Sequence, residues 1–488
     1  MSVTTGATTR SLFKNSVSQI VGRLLLSAIR LVTAALVVRL IGSGRFGEYT
    51  LVLSFLLIFE WMVDFGQTDI AVRDIARDPE DEGAVLQALV RLKAVQGLVL
   101  SLLLPVVMLV LHYPPALVQA AAIGSLGVLA YAAVQVFRAL FKVRMQMERD
   151  VFSELASTVA LLPATWLACR AGASVQVLIA CYMASRLVYL GIALAFAYRQ
   201  RSAPGPRAPP PNAARNLLRE ALPLGLSGLL VLVYDAIAPV LLSKIADMHA
   251  VALYSAPARY VFAVLALVQA LNTAFFPVLA HRWNKSVESF TSLQQTALEI
   301  SILIAVGFAC CAVASAAFLM RLIGPGVADA TPVLQLMCCI VVVRTVSMAM
   351  SPLIVIAGRQ GVSVWLTVAS LGIQAVVLPL LVPRFGALGA VVGYLLVELI
   401  TVVPLVVVGQ WASGARLTWA KPALLGICGL AALAVTRLLP IWDDWLGGVV
   451  CPLLFLAFAL ATRAVSVDKL RRMYGELVGG SLRPAEKA

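Results

Sequence analysis

Charged and amide side chains recur at helical spacing inside two apolar stretches near the beginning of the chain. The first stretch carries four polar residues at steps of four, four and three, namely Gln19, Arg23, Ser27 and Arg30. Such steps place all four on one face of a helix. The second stretch repeats the pattern with Glu60, Asp64 and Gln67. Guanidinium groups bind phosphate oxygens in a bidentate manner, and carboxylates form ion pairs with the same guanidinium groups. The two faces therefore offer ion pairing or the binding of an anion.

The depths of these residues make two ion pairs a specific alternative. If the two stretches are antiparallel helices, Arg23 and Asp64 each lie ~9 Å from the same end. Arg30 and Glu60 differ in depth by only ~5 Å on the same count. One interpretation is a pair of salt bridges within the membrane that hold two helices together. The other interpretation is that these polar faces point towards a substrate. Both interpretations are compatible if the ion pairs break and reform during transport.

Further polar residues lie in the middle of later apolar stretches. They are Arg186, Asp235, Gln269, Asn272, Arg344, Ser347, Ser351, Tyr394 and Glu398, while Arg259 lies near the outer end of the predicted eighth span. A charge at the centre of a membrane helix costs ~2.5–3.5 kcal/mol on insertion scales, so it normally faces a partner or water. Because these residues come from both halves of the chain, they favour a shared polar cavity. Several arginines in one cavity suit an anionic cargo.

Other candidate sites are weaker. Asp443 and Asp444 resemble a catalytic pair, but Trp442 and Trp445 flank them. Tryptophans at the level of the lipid headgroups make an interfacial turn the better interpretation. The three histidines are scattered, and the eight cysteines lie in or beside apolar stretches without ligand spacing. The sequence contains no phosphate-binding glycine loop and no nucleophile elbow. We therefore predict no catalytic residue, no metal and no cofactor.

The elements that position these residues are predicted to be membrane-spanning helices. Of 488 residues, 61% are hydrophobic and only 13% are charged, and the mean hydropathy is +0.94. The apolar residues form blocks of about 20, which is the length that crosses a ~30 Å hydrocarbon layer as a helix. We expect about 14 transmembrane helices in an all-α integral membrane protein. The first block is too long and too Arg-bearing for a signal peptide, so we expect it to be retained.

The distribution of basic residues predicts the orientation. With an even number of spans both termini lie on one side, and that side collects 26 of the 38 Lys and Arg residues, against eight on the other side. Basic residues concentrate on the cytoplasmic side of membrane proteins. Both termini are therefore predicted to be cytoplasmic. The net charge of +14 is a topology signal and not the footprint of a nucleic-acid partner.

A Pro/Arg-rich segment suggests how the chain is divided. Five prolines and five arginines lie within residues 199–220, a composition typical of an extended linker. A short repeat supports two equivalent halves, because Arg39 precedes Tyr49 by ten residues and Lys244 precedes Tyr254 by ten. The predicted organisation is listed here: an N-terminal lobe of six spans at 1–198, a cytoplasmic linker at 199–220, a C-terminal lobe of six spans at 221–408, two further spans at 409–462, and a cytoplasmic tail at 463–488.

Several motifs resemble those of one known family. The relevant segments are a Leu-Ile-Gly turn at 40–42, a Phe-Gly-Glu-Tyr start of the second span at 46–49, an Asp-Phe-Gly at 64–66 and, in the eighth span, Tyr254-Ser255 before Arg259 with a later Phe276-Pro277. "RLIGPGVADATPVLQLM" and "VPRFGALGAVVGYLLVELI" resemble later turns of the same proteins. On these motifs, the chain resembles the bacterial polysaccharide (O-antigen type) flippase family of the multidrug/oligosaccharidyl-lipid/polysaccharide exporter superfamily.

The resemblance implies two six-helix lobes around a central cavity, with alternating access. It implies a polyprenyl-pyrophosphate-linked oligosaccharide as cargo, moved from the inner to the outer leaflet of the bacterial inner membrane for surface polysaccharide biosynthesis. Partners would be membrane lipid and, in such a pathway, a polymerase and a chain-length protein. The expected cationic cavity residues are Arg23, Arg30, Arg259 and Arg344. The candidates for ion coupling or charge pairing are Glu60, Asp64, Asp235 and Glu398.

Two alternative functions remain open on the sequence. A drug/cation antiporter of the same superfamily would favour an acid-rich, aromatic cavity, whereas this chain carries as many arginines as acids within its spans. A membrane-embedded sugar polymerase or ligase would need a substantial outer loop with catalytic groups. The outer loops here are of ordinary connector length, about a dozen residues at most.

Overall fold

The structure is a computed structural model that describes residues 5–198, 212–283, 285–439 and 444–464. The side chains of residues 5–21, Arg23 and Pro79 lie outside this description. Within the described ranges all regular structure is helical. The helices are α1 Thr5–Ile41, α2 Ser43–Asp64, α3 Gln67–Arg77, α4 Glu82–Val110, α5 Pro115–Val143, α6 Met147–Arg170, α7 Val175–Tyr198, α8 Ala213–Ile245, α9 Met248–Trp283, α10 Val287–Ala314, α11 Ala316–Ile323, α12 Thr331–Ile356, α13 Gln360–Ser413, α14 Ala420–Leu438 and α15 Asp444–Ala461, with 3₁₀ turns at Pro79–Asp81 and Pro325–Ala330.

The predicted all-α membrane architecture is confirmed. In the described part of the chain, 13 helical stretches are long and apolar enough to cross a membrane. One of them, α13, has 54 residues and would be ~80 Å long if straight, far more than a bilayer needs. It reverses at Gly386, where φ is 53° and ψ is −129°. Gly389 then packs against Leu381 of the other arm. The two arms therefore correspond to the predicted eleventh and twelfth spans, which gives fourteen.

The second span is interrupted, whereas the helical spacing of Glu60, Asp64 and Gln67 predicted one continuous helix. The helix α2 ends at Asp64, because Phe65 (φ 44°) and Gly66 (φ 77°) adopt left-handed conformations. The short amphipathic helix α3 then begins. Lys93 of α4 donates its Nζ–H to the carbonyls of Val63 (2.7 Å) and Asp64 (3.0 Å). This buried ammonium satisfies carbonyls that the end of the helix leaves without intrahelical partners.

The predicted linker is shorter than its composition suggested. The helix α8 begins at Ala213, so residues 213–220 are helical, and Leu217 is buried in a small apolar cluster with Ala71 and Leu89. An apolar residue that packs against neighbouring helices extends the helix beyond the hydrocarbon layer. Residues 199–211 and the tail from 465 lie outside the described residues.

The two halves pack in parallel ways. In the first half, α5 contacts α2, α4 and α7; in the second, α12 contacts α9, α10 and α13. The final pair, α14 and α15, packs on α10. The halves meet where α1 and α2 contact α8 and α9, and one apolar core continues across this junction. Side chains of α1, α2 and α9 therefore lie close to the boundary between the halves.

One end of the junction is closed by close contacts. A Cβ at Gly47 of α2 would lie only 1.9 Å from the carbonyl oxygen of Met248, so only glycine permits this approach. Arg39 donates to the carbonyl oxygens of Arg321 and Leu322 at 2.9–3.2 Å. Both contacts lie at the turns that the charge pattern assigns to the outer side. The halves are thus held together at that end.

Candidate functional site

A cavity of about 80 Å³ at the boundary between the halves contains three arginines, namely Arg30 of α1, Arg186 of α7 and Arg259 of α9. Tyr49 and Tyr182 complete its polar lining together with small hydroxyl residues. Among the described residues that line it, none is acidic. The structure thus brings together Arg30 and Arg259, which the sequence predicted for one cationic cavity. Arg23 lies outside the described side chains, and its role stays a prediction.

Arg30 and Arg259 form few ion pairs with carboxylates of the protein. Within the described ranges, no carboxylate lies within ion-pair distance of Arg259, although the residue is partly buried. Arg30 has one ion pair, with Glu154 of α6 at 3.4 Å, and its side chain is 50% exposed. Because a guanidinium has five N–H donors, both residues keep most of their capacity for an anionic ligand.

Arg186, in contrast, is fully engaged by the protein. Its Nε and Nη2 donate to the two oxygens of Glu60 at 3.0 and 2.7 Å. Tyr182 donates to the same carboxylate at 2.9 Å, and the guanidinium lies 5.1 Å from the centre of the Tyr131 ring. Both ions are buried, with 10% and 5% of their side chains exposed. This pair neutralises itself and leaves the cavity's positive charge to the other two arginines.

The predicted pair between Arg30 and Glu60 is therefore wrong. Glu60 faces α7, while Arg30 faces α6. Residue counts predict how far a side chain lies along its helix, but the direction that a face takes around the helix axis is set by packing. The isolated Arg186 of the sequence is the true partner of Glu60.

Asp64 pairs with a residue that the count of basic residues assigned to the cytoplasmic side. Its Oδ1 lies 3.3 Å from Nζ of Lys93, whose side chain is 1% exposed, and Thr68 donates to it at 2.5 Å. Lys93 was counted as one more basic residue of the cytoplasmic side. The sequence position of Lys93 could have indicated its burial, because Lys93 lies seven residues after Leu86, where the predicted third span begins.

A second ion network joins α5, α6 and α7. Arg138 donates its Nε–H to both oxygens of Asp150 at 3.1–3.2 Å and an Nη–H to Tyr189 at 2.8 Å. Tyr189 in turn donates to Asp150. Sequence reasoning missed this network as well, because both charges lie near the turn at 144–146, outside the predicted spans. Because this network is buried, it connects the three helices and stabilises their packing.

The charges of the second half form a separate cluster. Arg344 of α12 donates to Asp235 of α8 at 3.0 Å and to Glu398 of α13. Tyr394 donates to Asp235 at 2.8 Å and Tyr234 to Glu398 at 3.2 Å. These sequence-predicted charges therefore do meet. Arg344 and Glu398 line a different cavity, of about 210 Å³, so the structure does not place Arg344 beside Arg30 and Arg259.

The sequence and the fold both resemble those of known proteins. Residues 12–283 match the profile of a family described as "Polysaccharide biosynthesis protein". A search of curated proteins finds no match. Among solved structures, the chain resembles the lipid II flippase MurJ in an inward closed conformation, with a TM-score of 0.71 and 11% identity over 95% of this chain and 99% of that one.

Two further structures have the same fold. An inward-facing multidrug resistance MATE transporter has a TM-score of 0.62 and 15% identity, over 82% of this chain and 94% of that one. A transporter of the MOP superfamily from Pyrococcus furiosus, described for the reverse polarity of its binding pocket, also has a TM-score of 0.62 and 15% identity, over 82% and 96%. At such identities the likeness establishes the transporter fold alone.

Proposed function

The chain belongs to the polysaccharide biosynthesis protein family, and we propose that it is a flippase for a polyprenyl-pyrophosphate-linked oligosaccharide. The observation that supports this proposal best is the cavity between the halves. Arg30 and Arg259 come from opposite halves, line one cavity and lack a strong counter-ion. Two incompletely paired guanidinium groups at bilayer depth favour an anionic ligand.

The pyrophosphate is the part of such a cargo that fits this cavity. Guanidinium forks bind phosphate oxygens in a bidentate manner, and the low local dielectric strengthens the interaction. An anion held by Arg30 of α1 and Arg259 of α9 connects the two halves, so its arrival and departure favour different arrangements of them. In this mechanism the glycan crosses the aqueous cavity while the lipid tail stays in the bilayer.

The paired charges have a separate proposed role. The buried pair of Glu60 with Arg186, the pair of Asp64 with Lys93, and the cluster of Arg344 with Asp235 and Glu398 hold helices in one arrangement. Because each half carries such pairs, their exchange during transport is compatible with alternating access between two lobes, 1–198 and 221–408. Any ion coupling would act on these carboxylates.

The cellular setting follows from the same proposal. A flippase for a lipid-linked glycan lies in the bacterial inner membrane with both termini in the cytoplasm, as the basic residues predict. Its cargo is made on the inner leaflet and used on the outer one. A polymerase and a chain-length protein of a surface polysaccharide pathway would then act on the product.

A drug/cation antiporter is the second candidate, because multidrug transporters share the fold. The lining of the cavity counts against it, since it carries three arginines and no described acidic residue. The transporter from Pyrococcus furiosus, whose pocket is described as reversed in polarity, is a precedent for a different pocket charge on this fold. A membrane-embedded polymerase or ligase would need reactive groups that this cavity lacks.

Transport in proteoliposomes tests the proposal. The purified protein is reconstituted with lipid-linked oligosaccharide, and a membrane-impermeant lectin reports sugars on the outer leaflet of the vesicle. We expect Arg30→Ala and Arg259→Ala each to slow flipping by roughly 10- to 100-fold, because an ionic hydrogen bond contributes about 1.5–3 kcal/mol. Arg359→Ala is the control, since Arg359 is exposed and packs on Trp411. Unchanged flipping in both cavity variants would contradict the proposal.

A further inference from the structure

The cavity of the second half has a lining unlike that of the arginine cavity. It measures about 210 Å³ and lies among α8, α9, α12 and both arms of α13. Its polar wall contains one amide and mostly hydroxyl groups. Those used below are Gln269, Ser351, Ser363, Thr367, Ser370 and Thr401. Apolar side chains would fill a dry core without the cost of burying polar groups, so this lining favours a space that holds water or a polar ligand.

The hydroxyl groups are arranged as acceptors. Thr367 donates its proton to the carbonyl of Ser363 (3.0 Å), Ser370 to that of Leu366 (2.8 Å) and Thr401 to that of Val397 (2.8 Å). A hydroxyl that gives its proton to its own helix keeps two lone pairs for other donors. This wall therefore suits a ligand that carries several O–H or N–H groups.

The charges at the cavity wall are already satisfied. Arg344 lies between Asp235 and Glu398, and Tyr234 and Tyr394 donate to the same carboxylates. The cluster therefore has no spare positive charge for a phosphate, in contrast with Arg30 and Arg259. A neutral polyol fits this wall better than an anion.

We propose that this cavity is a subsite for sugar units of the glycan, an inference that rests on the proposed function. One helix links the two cavities, because α9 supplies Arg259 to the first and Gln269 to the second. Ten residues of helix separate them by ~15 Å along the axis. A glycan attached to a pyrophosphate at Arg259 can therefore reach the hydroxyl wall.

The position of the cavity agrees with the route of the cargo. Ser351 near the end of α12 and Ser363 near the start of α13 both line it, and Ser351 is exposed. The turn between these helices is one that the basic residues assign to the cytoplasmic side. Sugars assembled on the inner leaflet thus meet this wall before they cross.

The test compares two probes in nanodiscs that contain the full-length protein. One probe is undecaprenyl pyrophosphate without sugar; the other is the lipid-linked oligosaccharide extracted from cells that produce the protein. We expect Thr401→Val and Ser351→Ala each to weaken binding of the glycosylated probe by roughly 2- to 10-fold, the effect of one hydrogen bond. Binding of bare undecaprenyl pyrophosphate stays unchanged in both variants.

Two control variants separate the outcomes. Thr291→Val removes an exposed hydroxyl that makes the same bond to its own helix, at 2.7 Å, and leaves both probes unaffected. Thr401→Ser keeps the hydroxyl and retains wild-type affinity, which separates a contact from a folding defect. Equal affinity of wild type and the two test variants for the glycosylated probe overturns the sugar subsite, as does an equal loss for both probes. If wild type binds neither probe, the proposed function itself fails.

Discussion

At the scale of the residue, the decisive property of each arginine is its partner. Arg186 and Arg344 lie at membrane depth but are held by carboxylates at 2.7 and 3.0 Å. Arg259 has no such partner in the described part of the chain, and Arg30 has one distant partner at 3.4 Å. The desolvation of a buried ion is offset only by close neighbours or by a bound counter-ion. The two weakly paired residues are thus the ones available for a cargo.

The Glu60–Arg186 pair is predicted to be structural. Glu60→Gln leaves the buried guanidinium of Arg186 without its counter-charge, and removal of one partner of such a pair costs roughly 3–5 kcal/mol. We expect a lower melting temperature of the protein in nanodiscs. The double variant Glu60→Gln, Arg186→Gln removes both charges and should recover much of the loss. A double variant that melts no higher than Glu60→Gln would show that the pair is not what stabilises this position.

At the scale of the element, the break after Asp64 depends on Lys93. Its ammonium satisfies two carbonyls at the end of α2 and pairs with Asp64. The helix is interrupted there by the left-handed residues Phe65 and Gly66. The start of α3 is also packed against the other half, because a Cβ at Gly66 would lie 3.0 Å from Leu224 of α8. Lys93 thus holds a segment on which the two halves meet.

Lys93→Met should loosen this segment. The side chain keeps its apolar length but loses the donors to the carbonyls of Val63 and Asp64, each worth about 1.5–3 kcal/mol when the donor is charged. We expect faster amide hydrogen exchange over residues 65–70 and a lower melting temperature. Arg91→Met on the same helix is the matched control, because Arg91 is exposed. Equal exchange rates in the two variants would contradict the assigned role.

The sequence predicted the helices better than their breaks and faces. Apolar length alone identified the spans, including the two that α13 joins through Gly386. The break at Phe65 was not predictable, because it depends on Lys93 of another helix. The Arg30–Glu60 pairing failed for a related reason, since the rotation of a helix about its axis is set by packing. The family resemblance assigned Arg30, Arg259 and Arg344 to one cavity; the structure brings the first two together and places Arg344 at a different cavity.

At the scale of the whole molecule, the two halves are in contact at the end whose turns the basic residues assign to the outer side. Gly47 approaches the carbonyl of Met248 too closely for any side chain, and Ser43 is hydrogen-bonded to His249 at 3.0 Å. Alternating access requires this end to open and close again. Because the two backbones approach so closely, a methyl group added at Gly47 would hinder the closure of this end.

Gly47→Val is predicted to hold the outer end open. In a background without the eight native cysteines, a cysteine introduced at Ser43 should then react faster with a membrane-impermeant maleimide added from outside. Gly44→Val is the matched control, because a Cβ at Gly44 meets no atom within 4 Å. If labelling in Gly47→Val were no faster than in Gly44→Val, the contact at Met248 would not be part of the closure.

The most direct measurement is a double-mutant cycle for the binding of undecaprenyl pyrophosphate to the protein in nanodiscs, with Arg30→Ala, Arg259→Ala and the combined variant. If one pyrophosphate contacts both guanidinium groups, each single variant weakens binding, and the two changes are coupled by roughly 0.5–3 kcal/mol. Wild-type affinity in both single variants, or losses that add without coupling, would contradict a shared phosphate site between the halves.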